Sequence, residues 1–177
     1  MKATAGSTAL LTGVFALLYR LFGMGWLLST AITCGTVCYH FAMRLLVGAL
    51  VPNTFDPAAK WFQPRPWEAA LYRRLQVKAW KSHVPTYDPR RFSFRENTPT
   101  EVAANMCQAE VVHEVIVLLS FLPLAFSLVF GSFPVFLITS ILSAALDLVF
   151  VALQRCNRPR LMRLIQKQLL TTRRDPA

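Results

Sequence analysis

Two long apolar blocks, residues 8–51 and 111–151, are separated by a polar, basic segment. The first block breaks only at Gly23-Met24-Gly25. Its length suits two spans of about 20 residues joined by a tight turn, or one span preceded by an interfacial helix. The segment at about 26–51 reads as a span either way, so residues 8–25 stay open between a span and a surface helix. Lys2 before an apolar run is also how a signal peptide begins, but apolar character resumes at once after Gly25, which favours an uncleaved anchor. Pro52 ends the span, and residues 53–57 form a turn. Trp67, Leu71, Leu75 and Ala79 recur at helical spacing and predict a helix over 67–81, stopped by Pro85 and Pro89. Residues 101–108 are a polar approach to the second block, with Thr98 and Thr100 as available caps. Gly131, Ser132, Phe133 and Pro134 interrupt that block, which predicts a helical hairpin of two spans.

The pattern as a whole predicts an all-α integral membrane bundle of about four spans with an interfacial helical platform. Residues 1–52 carry the N-terminal membrane helices and 53–109 the basic, aromatic platform. Residues 110–153 form the transmembrane hairpin and 154–177 a basic tail.

Composition sharpens this picture. The chain is 54% hydrophobic and 16% charged, which excludes a disordered chain, and its net charge of +10 asks for an anionic partner. A nucleic-acid binder would need that charge on a soluble fold, and the apolar content leaves no room for one, so the partner is membrane lipid and not nucleic acid. Residues 60–95 hold nine Lys/Arg interleaved with Trp61, Trp67, Trp80, Tyr72 and Tyr87, against Glu68 and Asp88. Such a mixture suits the membrane–water interface, where rings sit at headgroup level and cations meet lipid phosphate. The middle segment and the tail hold sixteen of the nineteen Lys/Arg. A two-span hairpin between them puts both on one side, and the positive-inside rule makes that side cytoplasmic, in a multi-pass protein of the cell membrane. The four cysteines show neither C-x-x-C nor metal-ligand spacing and read as small buried side chains.

Ionisable residues inside spans are the first candidates for chemistry. His40 and Arg44 share a helix face at i, i+4. A central Arg costs about 2.5–3.5 kcal/mol on insertion scales, so Arg44 either snorkels to the headgroups or has a role. Asp147 lies at similar depth in the last span, and Glu110, His113 and Glu114 share one face at the mouth of another. A histidine flanked by carboxylates suits a general base, with Glu110 orienting His113. The plainer alternative is an ion-pair lattice of Arg44 with Asp147 or Glu114. Glu-x-x-His also recurs in di-iron bundles, but those need two copies and the chain has one, so no metal is expected. His83 and Asp88 spell H-x-x-x-x-D, the acyl-transfer signature of glycerolipid acyltransferases. Pro85 sits inside it and the rest of that larger fold is missing, so the match reads as coincidence.

Three stretches carry a likeness: VKAWKSHVP at 77–85, CQAEVVHEVIVLLSFLPL at 107–124 and QRCNRPRLMRL at 154–164. In these the chain resembles the glycosyl-4,4'-diaponeurosporenoate acyltransferase family of staphyloxanthin-type carotenoid synthesis, with order and spacing matching over about residues 40–170. The resemblance implies transfer of a fatty acyl group to a sugar hydroxyl of a membrane glycolipid. The donor would be an acyl-CoA or acyl-carrier-protein thioester, with no cofactor. It places Glu110, His113, Asn157, Arg158, Pro159 and Arg160 at motif positions. On that basis His113 is the base and Glu110 its orienting acid, with Glu114, Arg44, His40 and Asp147 in support. Lys78, Lys81, Asn157, Arg158 and Arg160 would hold donor phosphates or headgroups. Trp61, Trp67 and Trp80 anchor the platform or cover the sugar. A non-catalytic membrane lipid-binding or assembly protein would explain the charge and the spans equally well. A transporter subunit would need more spans and a pair of broken helices. No feature of the sequence sets an oligomeric state.

Overall fold

The computed structural model describes residues 1–84 and 88–174, and side chains as far as residue 171. Among the described residues all regular structure is helical. Helices α1 (Lys2–Phe22), α2 (Gly25–Leu50), α3 (Glu68–Arg74), α4 (Val77–Trp80), α5 (Pro99–Leu119), α6 (Ser127–Phe130) and α7 (Phe133–Arg174) follow one another, with short 3-10 turns between some of them. Four stretches are long and apolar enough to cross a membrane: Lys2–Phe22, Gly25–Leu50, Pro99–Phe130 and Phe133–Thr171. The expected all-α membrane bundle is thus observed. Residues 8–25, open in the sequence reading, fall largely within α1. Its 21 residues extend about 31 Å, enough for a hydrocarbon core. It has no buried residue, and Leu10, Leu17 and Leu21 stand on its surface, as suits a helix facing lipid.

The chain forms two compact units, one of residues 1–50 with 112–148 and one of residues 51–111 with 149–177. In the first, Gly23 takes the left-handed conformation (φ 66) and its N–H closes α1 onto the Tyr19 carbonyl at 2.8 Å. Gly35 lets α2 come close to α1: a Cβ there would stand 3.3 Å from Thr12 Cγ2. The packed stripe of α2 is Leu27, Ala31, Thr36, His40, Met43 and Val47, at helical spacing.

In the second unit three features differ from expectation. First, α5 starts at Pro99, well before the apolar block. A capping box accounts for this. Thr98 Oγ1 accepts the Glu101 N–H at 3.3 Å, Glu101 Oε2 accepts the Thr98 N–H at 2.7 Å, and Pro99 takes the first helical position. The polar start is then buried on one face, where Val102, Ala103 and Met106 pack on Leu161, Phe92, Met162 and Ile165. Second, the basic stretch after 153 is the continuation of α7, which runs 42 residues with Pro159 inside it. Pro159 has no N–H to give the Arg155 carbonyl, yet the helix holds because side chains on both sides of it are anchored. Third, the expected 67–81 helix is broken. Gln76 is left-handed (φ 50, ψ 38), so α3 and α4 are separate. Leu71 and Leu75 are exposed while Glu68 and Val77 are buried, so the apolar spacing did not mark the packed side. Trp80 Nε1 donates to the Leu75 carbonyl at 2.8 Å across the break. The middle of the His83–Asp88 stretch, residues 85–87, lies outside the described residues.

Replacing Thr98 by Ala should cost about 1 kcal/mol of stability, because one N-terminal N–H of α5 loses its acceptor. A lowered unfolding midpoint with unchanged helix content by circular dichroism checks this.

Candidate functional site

In the first unit, His113 and Ile116 on α5 and Ser120 just past its end lie at i, i+3, i+7, and Ser140, Ser143 and Asp147 at matching spacing on α7. Because residues 120–132 turn the chain back, α5 meets α7 antiparallel. His113 thereby faces Asp147, and Ser120 faces Ser143. His113 Nδ1 lies 2.7 Å from Asp147 Oδ1. The other carboxylate oxygen accepts from Arg44 of α2. Arg44 also donates to Ser143 Oγ at 2.8 Å and to the His40 carbonyl at 3.0 Å. Ser120 donates to the Ile116 carbonyl at 2.8 Å, so the 3.1 Å contact between the two serines has Ser143 as donor. Asp147 is wholly buried, whereas the His113 side chain remains 22% exposed. The acid is therefore fixed by two cationic or potentially cationic partners, while the imidazole reaches the surface. His40 is buried, edge-on to Tyr39, and among the described residues neither of its ring nitrogens has a hydrogen-bond partner.

In the second unit, Glu110 sits at the centre of a buried lattice. One oxygen accepts from Arg158 and the other lies 2.9 Å from Arg155 Nε. Arg155 in turn donates to Glu68 at 2.5 Å and to the Trp61 carbonyl at 3.1 Å. Arg158 donates to the Phe62 carbonyl at 2.7 Å and lies over the Phe62 ring at 4.9 Å. Two carboxylates and two guanidinium groups thus balance, and the Trp61 and Phe62 carbonyls take further donors. Beside the lattice is a cavity of about 1100 Å³. Tyr72 lines it. Burial first, and the Glu68 carboxylate next, push the Tyr72 phenol up to about 12.

These positions fall within a known sequence family. The family model for glycosyl-4,4'-diaponeurosporenoate acyltransferase matches residues 58–167, more than half of the chain. The chain belongs to this acyltransferase family. No curated protein and no solved structure matches it. The family is named for acyl transfer in carotenoid chemistry, and the apolar helices fit a membrane protein. The matched region contains both Glu110 and His113, the whole Asn157–Arg160 motif and all of the cavity lining except Pro57. It leaves out α2 with His40 and Arg44.

Measured against the acyltransferase motif, the expected residues divide between two places. His113, Asp147, Arg44 and His40 belong to the first unit, whereas Glu110 belongs to the second. The carboxylate on His113 Nδ1 is Asp147, and Glu110 is instead held by Arg158 and Arg155. Arg44 does not snorkel, because Asp147 and Ser143 hold its guanidinium inside the bundle. Arg158 is 2% exposed and held between Glu110 and the Phe62 carbonyl at the edge of the cavity. Asn157 accepts from Lys81 Nζ at 3.0 Å, while Lys78 and Arg160 line the cavity. Glu114 is half-buried on α5. Trp61 and Trp67 are exposed at 55% each, as anchors would be, and Trp80 is spent on the Leu75 carbonyl. Sequence reasoning missed Ser143, Ser120, Glu68, Arg155 and Tyr72. The i, i+4 spacing of Ser143 and Asp147, and the i, i+3 spacing of Arg155 and Arg158, were the available signals. Among the described residues no three His, Cys, Asp or Glu side chains group as metal ligands.

Two outcomes follow from the second unit. Replacing Glu110 by Ala leaves the buried Arg158 without a carboxylate and Arg155 with Glu68 alone, and should cost about 3–5 kcal/mol, read as a collapse of thermal stability in detergent. Tyr72 should ionise only near pH 12, as a late step in the phenolate absorbance titration that Tyr72→Phe removes. The folded chain holds this proton more tightly than the unfolded one, whose phenol ionises near its ordinary value of 10. Stability should therefore fall as pH rises through that window.

Proposed function

We propose that the chain is a membrane O-acyltransferase that moves a fatty acyl group from a thioester donor to a sugar hydroxyl of a membrane glycolipid. The observation that carries this reading is the His113–Asp147 contact, at 2.7 Å, on a partly exposed imidazole backed by a wholly buried acid. Family membership supports the reaction class. With Nδ1–H directed at Asp147, the tautomer places the basic lone pair on Nε2. Nε2 takes the proton of the sugar hydroxyl as its oxygen attacks the thioester carbonyl. Asp147 stabilises the imidazolium as it forms, and Arg44 and Ser143 keep the carboxylate in place. The tetrahedral intermediate then collapses: the C–S bond breaks, the thiolate leaves and the imidazolium returns the proton to give a thiol. The ester remains on the glycolipid, and no cofactor enters the balance. The distribution of Lys and Arg supports a reaction at the cytoplasmic leaflet of the cell membrane.

The test is comparative lipid analysis of a host expressing the chain at matched levels. Wild type should yield glycolipids heavier by one acyl unit. His113→Ala should lower their rate of formation by about 10²–10⁴-fold, the range ascribed to positioned general bases, and Asp147→Asn should lower it by no more than that. Acylation at the wild-type rate in His113→Ala would remove the base. No new lipid from wild type supplied with glycolipid and acyl-CoA would favour a lipid-binding protein without catalysis.

A further inference from the structure

The cavity of the second unit has more positive charge than its own structure uses. Its lining includes Arg65, Arg73, Lys78, Arg155, Arg158, Arg160 and Arg163, against one carboxylate, Glu68. Arg155 and Arg158 are occupied in the buried lattice with Glu68 and Glu110. The remaining five cations have no carboxylate partner among the described residues. Arg65 lies 6.0 Å from the Trp61 ring centre, and Arg163 Nε donates to the Pro159 carbonyl at 3.2 Å. The five come from four places: Arg65 precedes α3, Arg73 is in its last turn, Lys78 is on α4, and Arg160 and Arg163 are on α7. Cations of one sign gathered around one hollow make it attractive to an anion.

Size and shape narrow the anion. At about 1100 Å³ the hollow exceeds what one phosphate needs and lies just above the range for whole small-molecule ligands, about 300–1,000 Å³. Phe62, Ala69, Ala79 and Met162 give part of the wall an apolar surface on which a base or a chain can lie. Tyr72 adds a neutral phenol, a hydrogen-bond donor that does not oppose a phosphate by charge. A nucleotide bearing a diphosphate and a 3'-phosphate carries about four negative charges at neutral pH. Five cations, a hydroxyl donor and an apolar wall complement that molecule better than they do a single phosphodiester.

We propose that this cavity is a binding site for a phosphorylated nucleotide handle, the coenzyme A portion of the acyl donor, held by Arg65, Arg73, Lys78, Arg160 and Arg163. The identification of the handle as part of the donor rests on the acyl-transfer reading. The site itself does not. Lipid phosphate offers the same chemistry from the membrane, so the test separates the two sources.

The full chain in phosphatidylcholine nanodiscs should bind coenzyme A by calorimetry, and 3',5'-ADP should compete. Affinity should weaken as salt rises. Arg73→Gln with Arg160→Gln should weaken binding by about tenfold or more, since each replaces a charge-assisted contact. Both side chains are exposed, and the single variants Arg73→Gln and Lys78→Gln, checked for wild-type unfolding midpoints, should each show part of the loss. Absence of coenzyme A binding, or equal affinity in the double variant, would overturn the site. Displacement of coenzyme A by discs rich in phosphatidylglycerol would assign the cavity to a lipid headgroup and overturn the nucleotide. Binding is read without turnover. A chain that binds coenzyme A but acylates nothing keeps the site and loses the acyl-transfer reading. Wild-type acylation kinetics in the double variant would overturn the site and keep acyl transfer.

Discussion

A charge removed from water must find its opposite nearby, and among the described residues three carboxylates are almost fully buried: Glu68, Glu110 and Asp147. Each is met by a guanidinium group, Arg155 on Glu68 and Glu110, Arg158 on Glu110, and Arg44 on Asp147. The desolvation of such groups costs several kcal/mol per ion, so the pairs fix which helix faces may meet. Arg44 can satisfy Asp147 only if that face of α2 turns towards α7. Glu110 can be satisfied only if α7 continues as a helix past the apolar block to present Arg155 and Arg158. The unusual length of α7, and the helical state of a basic stretch that hydropathy alone reads as a tail, follow from that requirement.

The same constraint divides the E-x-x-H motif. Sequence spacing put Glu110, His113 and Glu114 on one face, and from that alone Glu110 was the natural partner for the imidazole. The register between α5 and α7 decides otherwise. Glu110 falls beside Arg155 and Arg158, and His113 falls beside Asp147. Each Glu110 oxygen lies against a guanidinium group, so its charge is matched by Arg155 and Arg158. Asp147 has one oxygen on Arg44 and the other on His113, which is the arrangement that orients a base without neutralising it.

Much of the architecture was legible in the sequence because hydrophobic length reports membrane spans directly. The breaks at Gly23 and Gly131, both left with positive φ, marked the turns where helices end. The threonine and glutamate at 98 and 101 announced the start of α5, although only the caps were read and not the box. Other features had no local signal. Gln76 is an ordinary helix residue, and no glycine or asparagine at that position announces its left-handed backbone. The pairing of charges was visible as a set of candidates but not as a choice, because it depends on helix register and rotation. The cavity is assembled from residues far apart in sequence, so the basic stretches were legible as charge while the hollow they surround was not.

The account stands on His113 and Asp147 acting as one unit. A double-mutant cycle on the acylation rate, with His113→Ala, Asp147→Asn and both together, tests this most directly. If Asp147 works through the imidazole, the double variant should be no slower than His113→Ala alone. Losses that multiply would mean the two residues act independently, and the assignment of Asp147 as the orienting acid of the base would fall.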